Sequence, residues 1–537
     1  MKKLLLALTF TALASVPLVH ADKASEQDPS GKSHGKKPNI VFILADDLGW
    51  TDLSTGETNL GNGSDFYETP NIDALAKSGI SFTSAYMQPN CAPTRAALIS
   101  GQYPARDGNG VYNVVSLNRG KKNGLIPPEQ NEDVPASSIT VAEAFQTAGY
   151  TTAHFGKYHP GGHEGGAATL PLAAGFDINF TGNKQGLPAS YHAKNKKGKW
   201  AFTTNLSPDL DPYAQPYDKK YIKKHNLASS MLGKPKHLTD ALADAFESFV
   251  AEHVSPDKKP IYVHYWLYNV HTPISPRSDL AEKFADKKKQ SPSNRGHDNS
   301  KYAAMVNHTD QAVGRVLDAL DDPDGDGDIS DSIRKDTLVI FSSDNGGNRG
   351  STTNSPLRRT KGTFYEGGIR VPMIASRPGT IPSGKISDTM VHAVDYYPTF
   401  LEAAGIKRSA EYYLDGQSFA KALVDPATKR KRSPITYHFP GYMDNRAAPT
   451  STILSEINGQ RYKLIHYYED GHNEIYNLSK DLSEKRDLTR VSNNNPEVEQ
   501  VLMKQLSNWL TQETPGWQPK YPKNRKSGKT LSAPTAK

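Results

Sequence analysis

The chain has 537 residues, enough to bury a large core, and with 36% hydrophobic and 23% charged residues it is neither collagen-like nor wholly disordered. Its single cysteine excludes a disulfide framework within the chain and any cysteine-rich metal cluster. Of the net charge of +7, residues 1–37 carry +3 and residues 520–537 carry +6, which leaves the body at −2, so the basic excess is no argument for a nucleic-acid partner.

The chain opens with Lys2 and Lys3, an apolar run from Leu4 to Val19, and Val19-His20-Ala21 at a small-residue cleavage position. The run is short and broken by Pro17. It therefore reads as a signal peptide over 1–21 rather than as an anchor, with no stable membrane insertion and an exported, periplasmic or secreted product. Residues 22–37 read as a polar linker. Asn39 to Leu44 is a continuous apolar run, the pattern of a strand buried on both faces, and it ends at Asp46-Asp47. Thr69-Pro70-Asn71 opens a helix carrying Ile72 and Leu75. Cys91 stands just before a second helix, with Pro93 in the first turn and Arg95 one turn on.

Further along, Tyr150 to Phe155 predicts a strand followed by Lys157 and His159. The spacing of Leu238, Leu242, Phe246 and Val250 predicts a helix over 237–254. Ile261 to Trp266 predicts a strand leading to His271, and Val306, Val313 and Leu320 mark a long helix. Asp322 to Asp328 resembles the start of a calcium loop, but Ile333 stands where the last acidic ligand belongs, and an exposed turn fits equally well. Thr337 to Phe341 predicts a strand ending at Asp344-Asn345. Strands alternating with helices predict an α/β fold, its largely parallel sheet covered on both faces, with ligands beyond the carboxyl ends of the strands. Short alternating runs from about residue 420, then a helix over 496–510, predict a smaller sheet subdomain. The expected division is a main domain over 38–420, an α+β subdomain over 421–519 and a solvated basic tail over 520–537.

All four buried strands end in polar or ionisable residues, which points to one shared site. Asp46-Asp47 and Asp344-Asn345 are oxygen-rich pairs of the kind hard divalent cations take. One such pair would read as turn or cap chemistry; two, at the ends of two buried strands, point to a metal. Cys91 would sit at a helix N-terminus, where free N–H groups and the dipole stabilise negative charge.

Cys91-Ala92-Pro93-Thr94-Arg95, followed by Ser100-Gly101, resembles the signature of the type I sulfatases within the alkaline-phosphatase-like superfamily. Supporting matches run through Asp46-Asp47, Thr69 to Asp73, Gly156 to His159, Val270 to Pro273, Ser343 to Gly346 and Lys361 to Pro372. The resemblance implies a large mixed, mostly parallel sheet sandwiched by helices, with a smaller C-terminal antiparallel sheet. It implies that a separate maturation enzyme oxidises Cys91 to formylglycine, whose hydrate attacks the sulfate sulfur and later expels sulfate. It assigns one Ca2+ to Asp46, Asp47, Asp344 and Asn345, with residue 91 completing the set. Arg95 would support the hydrate, and Lys157, His271 and Lys361 would hold the sulfate. His271 would be the acid towards the leaving oxygen, and His159 the base at residue 91. Alone, either histidine or either lysine would read as an ordinary polar residue. Tyr158 and Pro160 depart from the family pattern of Trp and Leu at these positions, which puts the nearby sugar subsite in doubt.

The leaving alcohol is left to two long polar segments: 106–135, with Tyr112, Asn113, Arg119, Lys121 and Lys122, and 159–236, with His163, Lys184, Tyr191, His192 and Trp200. Export and these segments favour a sulfated polysaccharide or oligosaccharide, an algal galactan such as carrageenan being one case. Two other readings stay open: a phosphoesterase or phosphonate monoester hydrolase of the same superfamily, and a glycan-binding protein with unconverted Cys91.

Overall fold

Asn39–Ala45 forms strand β1, at the centre of a nine-stranded sheet. Ile40, Phe42 and Leu44 enter one apolar layer, while Val41, Ile43 and Ala45 enter the opposite one. A strand covered on both faces has no solvent side, so its sequence is continuously apolar. The computed structural model describes residues 37–113, 116–117, 124–254, 258–428, 434–491 and 496–535. The expected signal peptide, nearly all of the linker, and Arg119, Lys121 and Lys122 lie outside the described residues.

After β1 come β2 (Ile80–Tyr86), β3 (Thr151–Gly156), β4 (Ile178–Phe180), a separate hairpin of β5 (Lys194–Lys196) and β6 (Lys199–Ala201), β7 (Ile261–Trp266), β8 (Thr337–Ser343), β9 (Arg370–Ser376), β10 (Lys385–Ser387) and β11 (Val391–His392). Across the main sheet the order is β10-β2-β9-β8-β1-β7-β3-β4, with β11 also paired to β2. β1 runs parallel to β7 and β8, with Phe42 opposite His264 on one side and Ile340 on the other. β9 is antiparallel to both β2 and β8. The sheet is thus mixed and mostly parallel, as the sequence predicts.

Helices Pro70–Lys77, Leu238–His253 and Ser300–Asp321 cover one face through Leu75, Phe246 and Val313. Cys91–Ser100, Val141–Thr147 and Tyr396–Ala403 cover the other through Ala96, Phe145 and Phe400. Among the described residues, no helix is long and apolar enough to cross a membrane.

A four-stranded antiparallel sheet follows, built of β12 (Ile435–Phe439), β13 (Thr450–Ile457), β14 (Gln460–Tyr467) and β15 (Asn473–Asn477). Tyr437, Leu454 and Ile465 pack on Phe364 and Ile369 of the main body. Ile453, Leu464 and Ile475 pack on Leu502 and Leu506 of helix Pro496–Leu510. The last described residues are largely exposed, as their charge suggests, but are held to the body. Lys523–Asn524 pairs with Leu125–Ile126, the Lys520 carbonyl lies 2.8 Å from His438 Nε2, and Tyr521 lies against the rings of His438 and Tyr468. Backbone pairing and one aromatic side chain hold the segment despite its lysines.

Candidate active site

The parallel strands deliver their carboxyl ends to one side of the sheet. β1 ends at Asp46-Asp47, β3 leads to Lys157, β7 to His271 and β8 to Asp344-Asn345. β2 leads to Asn90, which caps helix Cys91–Ser100 in an extended conformation. β9 enters the sheet antiparallel from that same side, so the whole connection 344–369, including Lys361, stays above the strand ends.

Carboxylates and cations interlock there. Lys157 Nζ lies 2.6 Å from Asp46 Oδ2, and Lys361 Nζ lies 2.6 Å from Asp47 Oδ1. Arg95 donates from Nε and Nη2 to Asp344 Oδ2 at 3.0 and 2.9 Å, and from Nη1 to the Lys157 carbonyl. Asn345 Nδ2 donates to Asp47 Oδ1 at 2.8 Å, and Thr94 Oγ1 donates to the Asp344 carbonyl at 2.6 Å. Lys361 Nζ also lies 3.1 Å from Cys91 Sγ. Asp46, Asp47, Arg95, Lys157, Asp344 and Asn345 are buried.

This crowding moves the proton affinities. Burial would raise the Cys91 thiol, but Lys157 and Lys361 outweigh it and bring it down to about 6. Burial also works against ionising Asp47, yet Lys361, His271 and Lys157 hold its carboxyl well below the usual range. For Asp344, burial and the neighbouring Asp46 carboxylate win over Arg95, and the group is raised. His271 is lowered by burial but raised more by Asp47 and Asp46, a net rise. Its Nδ1 donates to the Thr272 carbonyl at 2.8 Å, leaving Nε2 towards Asp47 Oδ2 at 3.8 Å. Burial, then the charges of Lys157 and Arg95, hold His159 well below the ordinary histidine range.

Nine of the ten expected residues are joined by these contacts. His159 stands apart, at a positive φ of 82°, with its N–H on the Asn183 carbonyl at 2.9 Å and its Nδ1 buried without a partner. At the strand ends Asp46 Oδ1, Asp47 Oδ2 and Asn345 Oδ1 are buried without a hydrogen-bond partner, as is Asn90 Oδ1 beside Cys91. One ligand atom each from Asp46, Asp47, Cys91 and His271 lies within 4.8 Å of the others, a spacing that can hold a metal ion.

Sequence reading missed the supports. Tyr302 Oη lies 3.1 Å from the Asp47 carbonyl and donates to Asp52 Oδ2 at 2.7 Å, and Asp52 also accepts from Gly49 N–H and Thr352 Oγ1. This network holds Asp47 at φ 65°. Gly49-x-x-Asp52 is a recognisable turn, but Tyr302 is distant in sequence and carried no signal. The connection between β12 and β13 also reaches the site. Met443 Sδ takes Asn90 Nδ2 at 2.9 Å, and a Cβ on Gly362 would meet Met443 Sδ at 2.7 Å and Arg446 Nη1 at 3.0 Å.

Not all of the aromatics expected to face sugar are open to solvent. Tyr191 and Tyr112 are buried, and Trp200 packs against the core, because long insertions need apolar anchors. At Asp322–Asp328, the side chains of Asp322, Asp324 and Asp326 lie within 4.8 Å of one another, each accepting a local backbone N–H.

The family profile described as Sulfatase matches residues 38–406, and one described as N-sulphoglucosamine sulphohydrolase, C-terminal, matches residues 360–512. The chain belongs to the sulfatase family. It is accordingly a sulfuric ester hydrolase. A protein named Sulfatase from Formosa agariphila is 43% identical over 482 residues, 85% of each chain. N-acetylgalactosamine-6-sulfatase of Mus musculus is 30% identical over 71% of this chain and 65% of its own. The solved structure of Ps i-CgsB with k-i-k-neocarrahexaose aligns with a TM-score of 0.65 and 28% identity, over 90% of this chain and 95% of that one.

Proposed function

We propose that this protein hydrolyses sulfate esters of an exported carbohydrate substrate, with Cys91 the precursor of formylglycine and one Ca2+ held by Asp46, Asp47, Asp344, Asn345 and residue 91. The observation that carries the reading is the set of three buried oxygens without partners, on Asp46, Asp47 and Asn345, beside Cys91. A hard cation takes such oxygens, whereas leaving them bare costs free energy. Asp344 already accepts at both oxygens, from Asp47 N–H and from Arg95, so it would bind through a remaining lone pair. The Cys91 thiol is a soft ligand and suits Ca2+ poorly; an oxygen at residue 91 completes the set better.

The cofactors would supply charge neutralisation and an oxygen nucleophile at residue 91. The side chains do the rest. Lys157 and Lys361 are placed to take sulfate oxygens, because each now neutralises an aspartate that the cation would share. Arg95 orients Asp344 and lends positive charge below the helix N-terminus. His271 has Nδ1 engaged by the Thr272 carbonyl, which leaves Nε2 facing the site as the donor to the leaving oxygen. His159, two residues beyond Lys157 and with its Nδ1 buried without a hydrogen-bond partner, is the base for the proton at residue 91.

The carbohydrate assignment rests on named relatives: one is an N-acetylgalactosamine-6-sulfatase and one was solved with neocarrahexaose. Export rests on the N-terminal sequence, and conversion of Cys91 calls for the formylglycine-generating maturation enzyme as a partner. The test uses protein whose residue-91 peptide has been verified by mass spectrometry, given sulfated algal and animal glycans and phosphate esters, with ion chromatography of released anions. Sulfate from one glycan class is the expected result. Phosphate or phosphonate release without sulfate would overturn the reading.

A further inference from the structure

The hairpin β5–β6 carries four lysines in six residues: Lys194, Lys196, Lys197 and Lys199. All four are exposed, and none has an ion-pair partner among the described residues. The register pairs Lys194 with Ala201, Asn195 with Trp200 and Lys196 with Lys199. Asn195 and Trp200 therefore share one face, and Trp200 packs that face against the core. Lys194, Lys196 and Lys199 share the opposite face, towards solvent.

Lysines directly opposite each other across a strand pair repel, and an isolated two-stranded ribbon is marginal even without that cost. Lys197 and Gly198 make the turn at φ 53° and 89°, so Lys197 adds backbone strain to charge repulsion. Nothing in the fold of the described residues offsets this concentration of charge. A ligand of opposite charge would.

The root of the hairpin is tied to the active site. Tyr191 Oη lies 2.6 Å from the Tyr268 carbonyl and 2.8 Å from the His271 carbonyl. Ala193 N–H donates to the Lys236 carbonyl at 2.9 Å, and Leu238 N–H to the Tyr191 carbonyl at 2.7 Å. Lys194 follows Tyr191 by three residues, a reach of about 10 Å at most. The hairpin is thus anchored, through the Tyr191 side chain, to the loop that holds His271.

We propose that β5–β6 is a docking surface for the anionic chain of a sulfated polysaccharide, engaging sulfates on sugars beyond the one held at Cys91. This rests on the sulfate-ester reading above and adds to it a second place of contact, outside the catalytic cluster. Sulfate groups repeated along an extended chain match lysines presented in a row, and such contacts weaken with salt.

The test compares the full chain with a variant in which Lys194, Lys196, Lys197 and Lys199 are all changed to Gln. Thermal melting that does not fall, with unchanged Trp fluorescence, will show that the Trp200 anchor is kept. Binding is read by gel retardation in dextran sulfate and in ι-carrageenan against neutral dextran, using Cys91→Ala protein with and without the lysine changes. The expected result is retardation by the sulfated polymers, relieved in the lysine variant. In kinetics at low salt, the variant should show KM raised about tenfold on the polymeric glycan that releases sulfate, with kcat unchanged. The gap should close at high salt, and turnover of 4-nitrophenyl sulfate should not move. Unchanged retardation and polymer KM would overturn the proposal. So would equal loss on polymer and aryl sulfate, or retention by phosphatidylserine vesicles in place of the polymers. Absence of sulfate release from every ester would instead remove the sulfate-ester reading, and the retardation assay would still decide the hairpin.

Discussion

Two buried charge clusters in this protein use the same side-chain chemistry to different ends. At the carboxyl ends of the main sheet, Asp46, Asp47 and Asp344 meet Arg95, Lys157 and Lys361. Under the small sheet, Lys463 Nζ lies 2.7 Å from Glu366 Oε1 and 2.8 Å from Glu484 Oε1, and Arg370 Nη1 lies 2.9 Å from Glu366 Oε2. Glu484 Oε2 further accepts the Glu366 N–H at 2.7 Å. In the second cluster every carboxylate oxygen has a hydrogen-bond donor or cation against it, so the cluster is closed and joins the small sheet to the main body. In the first, Asp46 Oδ1 has neither, and Asp47 Oδ2 has only the His271 ring, at 3.8 Å, although lysines sit on the other oxygen of each. A closed cluster is structural; one left open at a strand-end site is built for something that arrives later.

The comparison is open to direct attack. The largest effect is expected from Cys91→Ala. Sulfate release should fall by about four orders of magnitude or more, while circular dichroism and melting stay the same. Full activity in that variant would remove residue 91 from the chemistry. Next, Lys463→Met leaves Glu366 and Glu484 facing each other in the interior. Calorimetry should record a loss of about 3–5 kcal/mol, with sulfate release at moderate temperature retained. Asn345→Ala should behave in the opposite way. Calcium affinity by titration calorimetry should fall about tenfold or more, with little change in melting of the metal-free protein.

A pH test separates the clusters further. Burial raises Glu484 to about 7 against the pull of Lys463, because Glu366 shares that lysine. A carboxyl whose proton affinity is higher folded than unfolded keeps its proton longer in the folded state. Stability should therefore fall as pH rises from the ordinary glutamate range through about 7. Glu484→Gln should flatten the melting temperature over that window relative to the parent protein; an identical slope would show that Glu484 is ionised throughout. The smallest effect is expected for Tyr302→Phe, which removes the hydroxyl beneath the Asp47 carbonyl and Asp52. About 1 kcal/mol of stability should be lost, together with a measurable weakening of calcium binding.

Much of the site was legible because strand ends and motif residues are local. Ile261–Trp266 and Pro496–Leu510 fall where the apolar spacing places them, and β1 and β8 run one or two residues past the predicted ends. The supports were not legible. Tyr302 and Asp47 lie 255 residues apart, and no periodicity links them. Tyr112 and Tyr191 looked like sugar-facing aromatics because composition cannot say which face of a loop is buried.

The sequence by itself determined the sheet class, the oxygen-rich strand ends, the cysteine at a helix start and the membership these residues announce. Each of these depends on neighbours a few positions apart. Only the tertiary structure decided that β9 returns antiparallel and so keeps Lys361 over Cys91. It alone decided that Met443 and Arg446, between β12 and β13, stand beside Gly362, that part of the basic end pairs as a short strand, and that one buried charge cluster is closed by ion pairs while the other is open. Those outcomes turn on which distant groups meet and which acceptors are left without a donor, and that is settled only when the whole chain has packed.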